Sequence, residues 1–309
     1  MRSTTLTPAR SKSVLITGAS SGLGRAAAVR LAELGYRVFA GVRTESSSSA
    51  LASVPPSPGE LIPVILDVTD AASISRAGSN LEHACVDTGL WGVVNNAGIS
   101  VSSPLECLPL AALRAQLETN VVGSIAVLQR FLPLLRASEG RIVNVGSGVA
   151  NLPGPYLAAY AAAQCAKEGL SDALRRELRP LGVRVSVIEP GTVYTPIWGK
   201  IRESAEEIIG SAPTEILEVY RERFIDFLNV SERLARASMT LPSDFADAVA
   251  AALGAKRPKV RYRVGVDSTG SALARALVPD RMMDALLPLG LDAAARSTYR
   301  HREIREVAP

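Results

Sequence analysis

Three glycines in a short turn carry the first chemical signal in this chain. The run Thr17-Gly18-Ala19-Ser20-Ser21-Gly22-Leu23-Gly24 follows a short apolar stretch and opens an Ala- and Leu-rich helical pattern. Glycine in a strand-to-helix turn allows a sharp bend, close approach of the backbone to a pyrophosphate, and close packing of helix on strand. The free N–H groups and positive end of the helix then hold an anion. The GxxxGxG spacing at the head of a βαβ unit predicts a dinucleotide site, with Ser20, Ser21 and Leu23 joining Gly18, Gly22 and Gly24 around the phosphates.

The second apolar stretch ends Gly41-Val42-Arg43, with no Asp or Glu in place. A ribose with free hydroxyls is usually met by a carboxylate, whereas an added phosphate repels one and attracts arginine. Arg43 therefore predicts NADP(H) in preference to NAD(H); the same residue also reads as an ordinary surface arginine. Other chemistries are poorly served. His83 and His301 are the only histidines, which argues against a Ser-His-Asp hydrolase. Cys85, Cys107 and Cys165 are odd in number and show no paired spacing, so neither a disulfide framework nor a metal site is expected. They fit a reducing cytoplasm.

The elements that must position the turn are legible around it. Short β-prone runs at Val14–Thr17, Tyr36–Val42, Leu61–Leu66, Gly92–Asn95, Arg141–Val145 and Val183–Ile188 alternate with helix-period segments. Their near-continuous apolar character predicts strands covered on both faces. Val260, Tyr262 and Val264 alternate as a final strand. The expected fold is α/β: a single doubly wound Rossmann-type domain with a mostly parallel seven-stranded sheet and helices on both faces. Gly35 closes the first helix, Thr44 to Gly59 is expected to be irregular at least in part, and Ser243 is the expected N-cap of a helix running through Leu253. Residues 192–240 read as amphipathic helix and as a substrate lid. The domain is bounded at 13–290, with a disordered lead-in over 1–12 and a tail over 291–309.

Several motifs then coincide, and together they resemble the short-chain dehydrogenase/reductase family. They are the turn at Thr17 to Gly24, Asp67-Val68 ending the third strand, Asn95-Asn96-Ala97-Gly98, Asn120, Ser147, Tyr160 thirteen residues later, and Pro190-Gly191 with Thr195. The resemblance covers roughly Ser13 to Ile197 and is weaker to near Leu289. The stretches from Gly89 to Gly98 and from Leu174 to Leu178 look most like the retinol, steroid and 3-hydroxybutyrate dehydrogenase branch. The resemblance implies that Asp67 and Val68 meet the adenine, and that Asn95, Ala97 and Gly98 line the adenosine side. Pro190, Gly191, Val193 and Thr195 would hold the nicotinamide end. Ser147 would hydrogen-bond the substrate oxygen, Tyr160 would give or take the proton, and Asn120 would position a water in the proton relay.

One position departs from the family pattern. The family's proton chemistry rests on Tyr-x-x-x-Lys, and this chain reads Tyr160-Ala161-Ala162-Ala163-Gln164. Residues i and i+4 share a helical face, so Gln164 can reach the ribose but brings no charge to lower the phenol pKa. Alcohol oxidation, which needs phenolate as base, should suffer more than carbonyl reduction, which needs the neutral phenol. Lys167, at i+7, lies within about 20° of the same face and roughly 4.5 Å further along the axis than position 164. It reads either as a side chain leaning back toward the ribose or as an exposed lysine two turns along.

The expected function is NADP(H)-dependent reduction of an apolar ketone or aldehyde. Two alternatives stand beside it: a redox-impaired dinucleotide-binding protein, and a non-redox biosynthetic enzyme using the same site. The 309 residues carry a net charge of +4 spread along the chain, which reads as a solvated surface and not a nucleic-acid face. No apolar run reaches the roughly 18 to 20 residues of a membrane span; the best, Val121 to Leu135, carries Gln129 and Arg130. A homo-oligomer, dimer or tetramer, is expected from the resemblance.

Overall fold

A computed structural model describes residues 12–285. Residues 1–11 of the expected lead-in over 1–12, and everything beyond 285, including the expected tail, lie outside the described residues.

Seven strands form one sheet: β1 Ser13–Ile16, β2 Arg37–Val42, β3 Glu60–Ile65, β4 Gly92–Asn95, β5 Arg141–Val145, β6 Arg184–Pro190 and β7 Arg261–Val264. Their order is β3-β2-β1-β4-β5-β6-β7, and every neighbouring pair is parallel, so the sheet is wholly parallel where a mostly parallel one was expected. The helices between them are α1 Gly22–Glu33, α2 Glu45–Ala52, α3 Ala71–Ala84, α4 Leu110–Leu117, α5 Gly123–Ala137, α6 Ala158–Glu177, α7 Ile197–Gly210, α8 Thr214–Ala237, α9 Pro242–Gly254 and α10 Val266–Leu277.

Burial follows from this layering. Val14, Ile16, Val38, Ala40 and Val94 pack on one face under Ala28 and Leu31 of α1 and Phe245 and Val249 of α9. Leu15, Phe39 and Val93 pack on the other under Leu81 of α3 and Val127 and Phe131 of α5. Successive strand residues point to opposite faces, so strands covered on both sides must be apolar throughout. A third cluster joins Val101, Cys107 and Ala159 to Ala205, Ile208 and Ile209 of α7 and Phe224 and Leu228 of α8.

One local expectation is made definite and two change. The Ser-rich segment after Arg43 is partly helical: Thr44 caps α2 by accepting from Ser47 N at 3.3 Å, leaving only the residues after Ala52 irregular. The amphipathic stretch after Thr192 is two helices, interrupted at Ser211-Ala212-Pro213, because Pro213 cannot continue the ladder of α7. Ser243 is not the N-cap of α9; Leu241 holds that place and its N–H donates to Asp244 Oδ2 at 2.8 Å, while Pro242 takes the first helical position.

Candidate functional site

In a wholly parallel sheet every strand ends at the same edge. The residues following each strand therefore line that edge in sheet order: Asp67 and Val68 after β3, Arg43 after β2, the glycine turn after β1, Asn95 to Gly98 after β4, Ser147 after β5, and Pro190 to Thr195 after β6. Chain order reverses between β1 and β4, and ligands of open α/β sheets bind in the crevice outside such a switch point.

The turn is shaped as a phosphate cradle. Gly18 and Gly22 have φ of +66° and +54°, a region costly for residues with a Cβ. A Cβ on Gly18 would stand 2.9 Å from the Ala97 Cα, and one on Gly24 would collide with the Gly18 carbonyl and the Asn96 amide. Ser21 occupies the N-cap of α1 without a side-chain cap bond, so its hydroxyl is uncommitted; Ser20 is exposed and Leu23 half-buried beside it. Thr17 and Asn96 tie the turn to the end of β4. Thr17 Oγ1 accepts from Asn96 N at 3.1 Å and Ala97 N at 2.9 Å, and Asn96 Nδ2 donates to the carbonyls of Thr17 and Gly18. Both belong to the motifs, yet neither was singled out from sequence.

On the β3 and β2 side, the Asp67 carboxylate accepts from Thr69 N and Oγ1 through Oδ1, which holds the residue in place, and Val68 is buried next to it. Arg43 is exposed directly ahead of the α2 N-terminus. On the other side, the loop after β6 folds back over the turn, so that a Cβ on Gly22 would lie 3.3 Å from the Thr195 Cβ. Gly191 N donates to Val264 O after Pro190 ends β6, and Trp198 Nε1 donates to Val193 O, which fixes that loop. The residues of this edge thus fit a dinucleotide: open backbone donors, a carboxylate at one end, and a buried hydroxyl at the other.

Ser147 caps a 3-10 turn, accepting from Val149 N at 3.2 Å, and keeps its hydroxyl hydrogen for another partner. Tyr160 stands in the first turn of α6. Burial pushes its phenol above the ordinary value, and hydrogen bonds with Ser147 and Gln164 pull it partly back. The Gln164 carboxamide is 3% exposed; its Oε1 is buried with no partner. Asn120 lies in a π-helical turn, Glu118–Val122, between α4 and α5. Its Oδ1 accepts from Ile99 N at 2.9 Å and its Nδ2 donates to Ile99 O at 3.0 Å, so its side chain clamps the loop after Gly98. One amide hydrogen is left over for any water relay.

Lys167 is where spacing misled most. It is not exposed two turns along α6: it is 2% exposed, and its Nζ donates to Asn95 O at 3.5 Å. Helical periodicity gave its direction, but its depth depends on the β4 end that meets it. Among the described residues no cluster of His, Cys, Asp and Glu could hold a metal ion, and no helix is long and apolar enough to cross a membrane.

Comparison with known proteins agrees with this geometry. The chain is 43% identical over 258 residues to a 3-amino-tetrahydro-pyrrolizinone reductase of Xenorhabdus hominickii, covering 83% of this chain and 88% of the relative. It is 36% identical to human 11-beta-hydroxysteroid dehydrogenase type 2, spanning 84% of this chain but only 65% of that protein. It is 35% identical to human retinol dehydrogenase 16, covering 90% and 88%. A short-chain dehydrogenase from Burkholderia cenocepacia, solved in complex with NADP, superposes with a TM-score of 0.68 at 25% identity, covering 91% of this chain and 99% of that one. Another from Burkholderia phymatum, solved with NAD, shares the fold at a TM-score of 0.74 and 22% identity, covering 91% and 97%. Residues 12–206 match the short chain dehydrogenase family, and the chain belongs to that family of oxidoreductases acting on hydroxyl and keto groups.

Proposed function

We propose that this protein is an NADP(H)-dependent reductase of an apolar ketone or aldehyde, with Tyr160 as proton donor. The observation that carries the reading is the phenol of Tyr160 hydrogen-bonded to Ser147 and Gln164 at the same sheet edge as the glycine cradle. Gly18, Gly22, Gly24 and the Ser21 hydroxyl would hold the pyrophosphate, Arg43 the ribose phosphate, and Asp67 and Val68 the adenine. Asn95, Ala97 and Gly98 would line the adenosine side, and Pro190, Gly191, Val193 and Thr195 the nicotinamide end. When bound, the reduced cofactor supplies a hydride to the carbonyl carbon.

The chain's own groups do the rest. When substrate binds, the Ser147 hydroxyl turns from Tyr160 to donate its hydrogen to the substrate oxygen. Tyr160 gives that oxygen its proton as charge develops there. A phenol raised above its ordinary value is neutral at physiological pH, which is the form reduction requires. The helices α7 and α8, packed over Val101, Cys107 and Ala159, act as the lid of an apolar pocket. A relative named as a reductase, and others named for steroids and retinol, support the direction and the apolar substrate.

Tyr160→Phe should abolish NADPH consumption against a panel of apolar ketones and aldehydes while leaving NADPH binding intact. Full turnover in that variant removes Tyr160 from the mechanism. Gln164 favours one alternative, a dinucleotide-binding protein of impaired redox activity. Tight NADPH binding with no consumption across the panel selects it. A cytoplasmic homo-oligomer completes the reading; free Cys85, Cys107 and Cys165 support the reducing compartment, and sedimentation checks the assembly.

A further inference from the structure

A fully buried ammonium is expensive unless it is paired, and Lys167 has no carboxylate partner among the described residues. The nearest acid, Glu168 on the same helix, is taken by Arg261 at 2.8 Å. Lys167 makes one long hydrogen bond, to the Asn95 carbonyl, although an ammonium has three donors. Two buried acceptors lack partners: Asn95 Oδ1, on the residue it already touches, and Gln164 Oε1, three positions earlier on the same helix. Long helical side chains lean toward the N-terminus of their helix, which aims Lys167 at position 164 and away from position 171.

We propose that Lys167 is a positioning residue that supplies the charge missing at position 164: seated between the Asn95 end of β4 and the Gln164 carboxamide, it polarises that carboxamide and thereby sets the acidity of the Tyr160 phenol. Gln164 makes the contact and Lys167 provides the field. An amide whose oxygen faces a cation donates more strongly through its nitrogen, and a stronger donor favours phenolate. The seat is built and rigid: Asn95 Nδ2 donates to Asn144 Oδ1 at 2.9 Å, Asn144 Nδ2 to Ser171 Oγ at 2.8 Å, and Ser171 Oγ to Lys167 O at 2.6 Å.

The electrostatic surroundings are simple. Of the charged side chains of α6, Glu168 acts on the ammonium, while Asp172 is taken by Arg175 and Arg261; at the strand ends Lys167 meets Asn95, itself bonded to Asn144, and both are neutral. Arg261 of β7, which also meets Asp172 and buried Glu189 of β6, faces Glu168 and not the ammonium. Burial lowers Lys167 to about 8, with Glu168 opposing the shift. The charge therefore switches within the working pH range.

This inference rests on Tyr160 as the proton donor, and its test is separable from that reading. Tyr160 is titrated by phenolate ultraviolet absorbance in the protein without cofactor, as wild type minus Tyr160→Phe, and the same difference is taken in Lys167→Met and Lys167→Arg backgrounds. The Lys167 charge is lost near 8, before a phenol raised above its ordinary value ionises. Lys167→Met should therefore leave the phenol titration close to wild type, whereas the permanent cation of Lys167→Arg should lower it and raise the phenolate fraction about tenfold at a given pH. Both variants should erase the inflection near pH 8 from the reduction profile. Removing the carboxamide with Gln164→Leu should abolish the effect of Lys167→Arg. Unchanged phenol titration in folded Lys167→Arg overturns the proposal; if that variant does not fold, an inflection near pH 8 that persists in Lys167→Met overturns it. Retained turnover in Tyr160→Phe defeats the functional reading alone, because the phenol titration still decides Lys167.

Discussion

Replacing Gln164 by Lys places a cation directly against the phenol that already bonds this side chain. Positions 160 and 164 are one turn apart, so the ammonium would stand on the order of 5 Å from the phenol oxygen. At an effective dielectric of about 20 that is about 3 kcal/mol, or about two pKa units in favour of phenolate. Lys167 opposes the gain. It is already pushed to about 8 by burial, and a second ammonium one turn away costs both. The two lysines would titrate as a pair that holds about one proton at neutral pH. Gln164→Lys combined with Lys167→Met carries a single unambiguous charge and should show the full shift. The assay is the pH profile of kcat for one alcohol–ketone pair in both directions. The acid limb of oxidation and the alkaline limb of reduction should both move down by about two pH units in the double variant. At any fixed pH the ratio of kcat/KM values in the two directions stays set by the overall equilibrium, so a displaced profile is the signature, and a one-sided gain is not. A double variant with wild-type Tm and unmoved limbs would refute the charge argument.

Three further outcomes follow from the same coordinates. Gly24→Ala should weaken NADPH binding on the order of 100-fold, about 3 kcal/mol, because its Cβ collides with the Gly18 carbonyl and the Asn96 amide; cofactor fluorescence measures it. Arg43→Ala should raise KM for NADPH by about 10- to 100-fold and leave NADH unaffected, since one charge-assisted bond is worth about 1.5–3 kcal/mol. Lys167 is depressed from 10.5 to about 8 in the fold, so between those values the unfolded chain binds the extra proton and stability rises with pH. The rise amounts to about 3 kcal/mol relative to Lys167→Met, read from urea midpoints at successive pH values; a constant difference between the two proteins contradicts the assigned burial.

The strands were legible because a sheet covered on both faces leaves little choice of residue. Gly92–Asn95 and Arg141–Val145 come out with the bounds read from the chain, and the others shift by a residue or two. What stayed hidden was set by distant neighbours or by competing local bonds. The Ser-rich run after Arg43 reads as irregular at least in part, yet Thr44 caps a helix there, and Ser49 Oγ satisfies itself on Glu45 O without ending it. The motif assigns Asn120 to a relay; that its carboxamide also clamps Ile99 was not legible, because only the folded chain brings that partner near. Periodicity put Lys167 on the Tyr160 face but could not say that the end of β4 would bury it.

The helix bearing Tyr160 is held from three directions, and this bears on how substrate binding could reach the proton donor. In its middle, Ser171 ties it to β5 through Asn144, and Glu168 ties it to β7 through Arg261. Just before its start, Tyr156 sits at φ +63°, a left-handed conformation that costs an aromatic residue on the order of 1–3 kcal/mol and persists only where the surroundings enforce it. The enforcing contacts are visible. The Tyr156 carbonyl accepts from Ser103 N at 2.9 Å and Ser102 Oγ at 3.2 Å, while its ring meets Phe224 and Phe227 of α8 edge-on at 5.2 and 5.3 Å. The strained residue therefore lies between α8 and Tyr160, only four positions from the phenol. Any displacement of α8 acts on the Tyr156 ring, and the middle of α6, fixed to the sheet through Glu168 and Ser171, cannot follow. The displacement must then be absorbed in the first turn of α6, where Tyr160 meets Ser147 and Gln164.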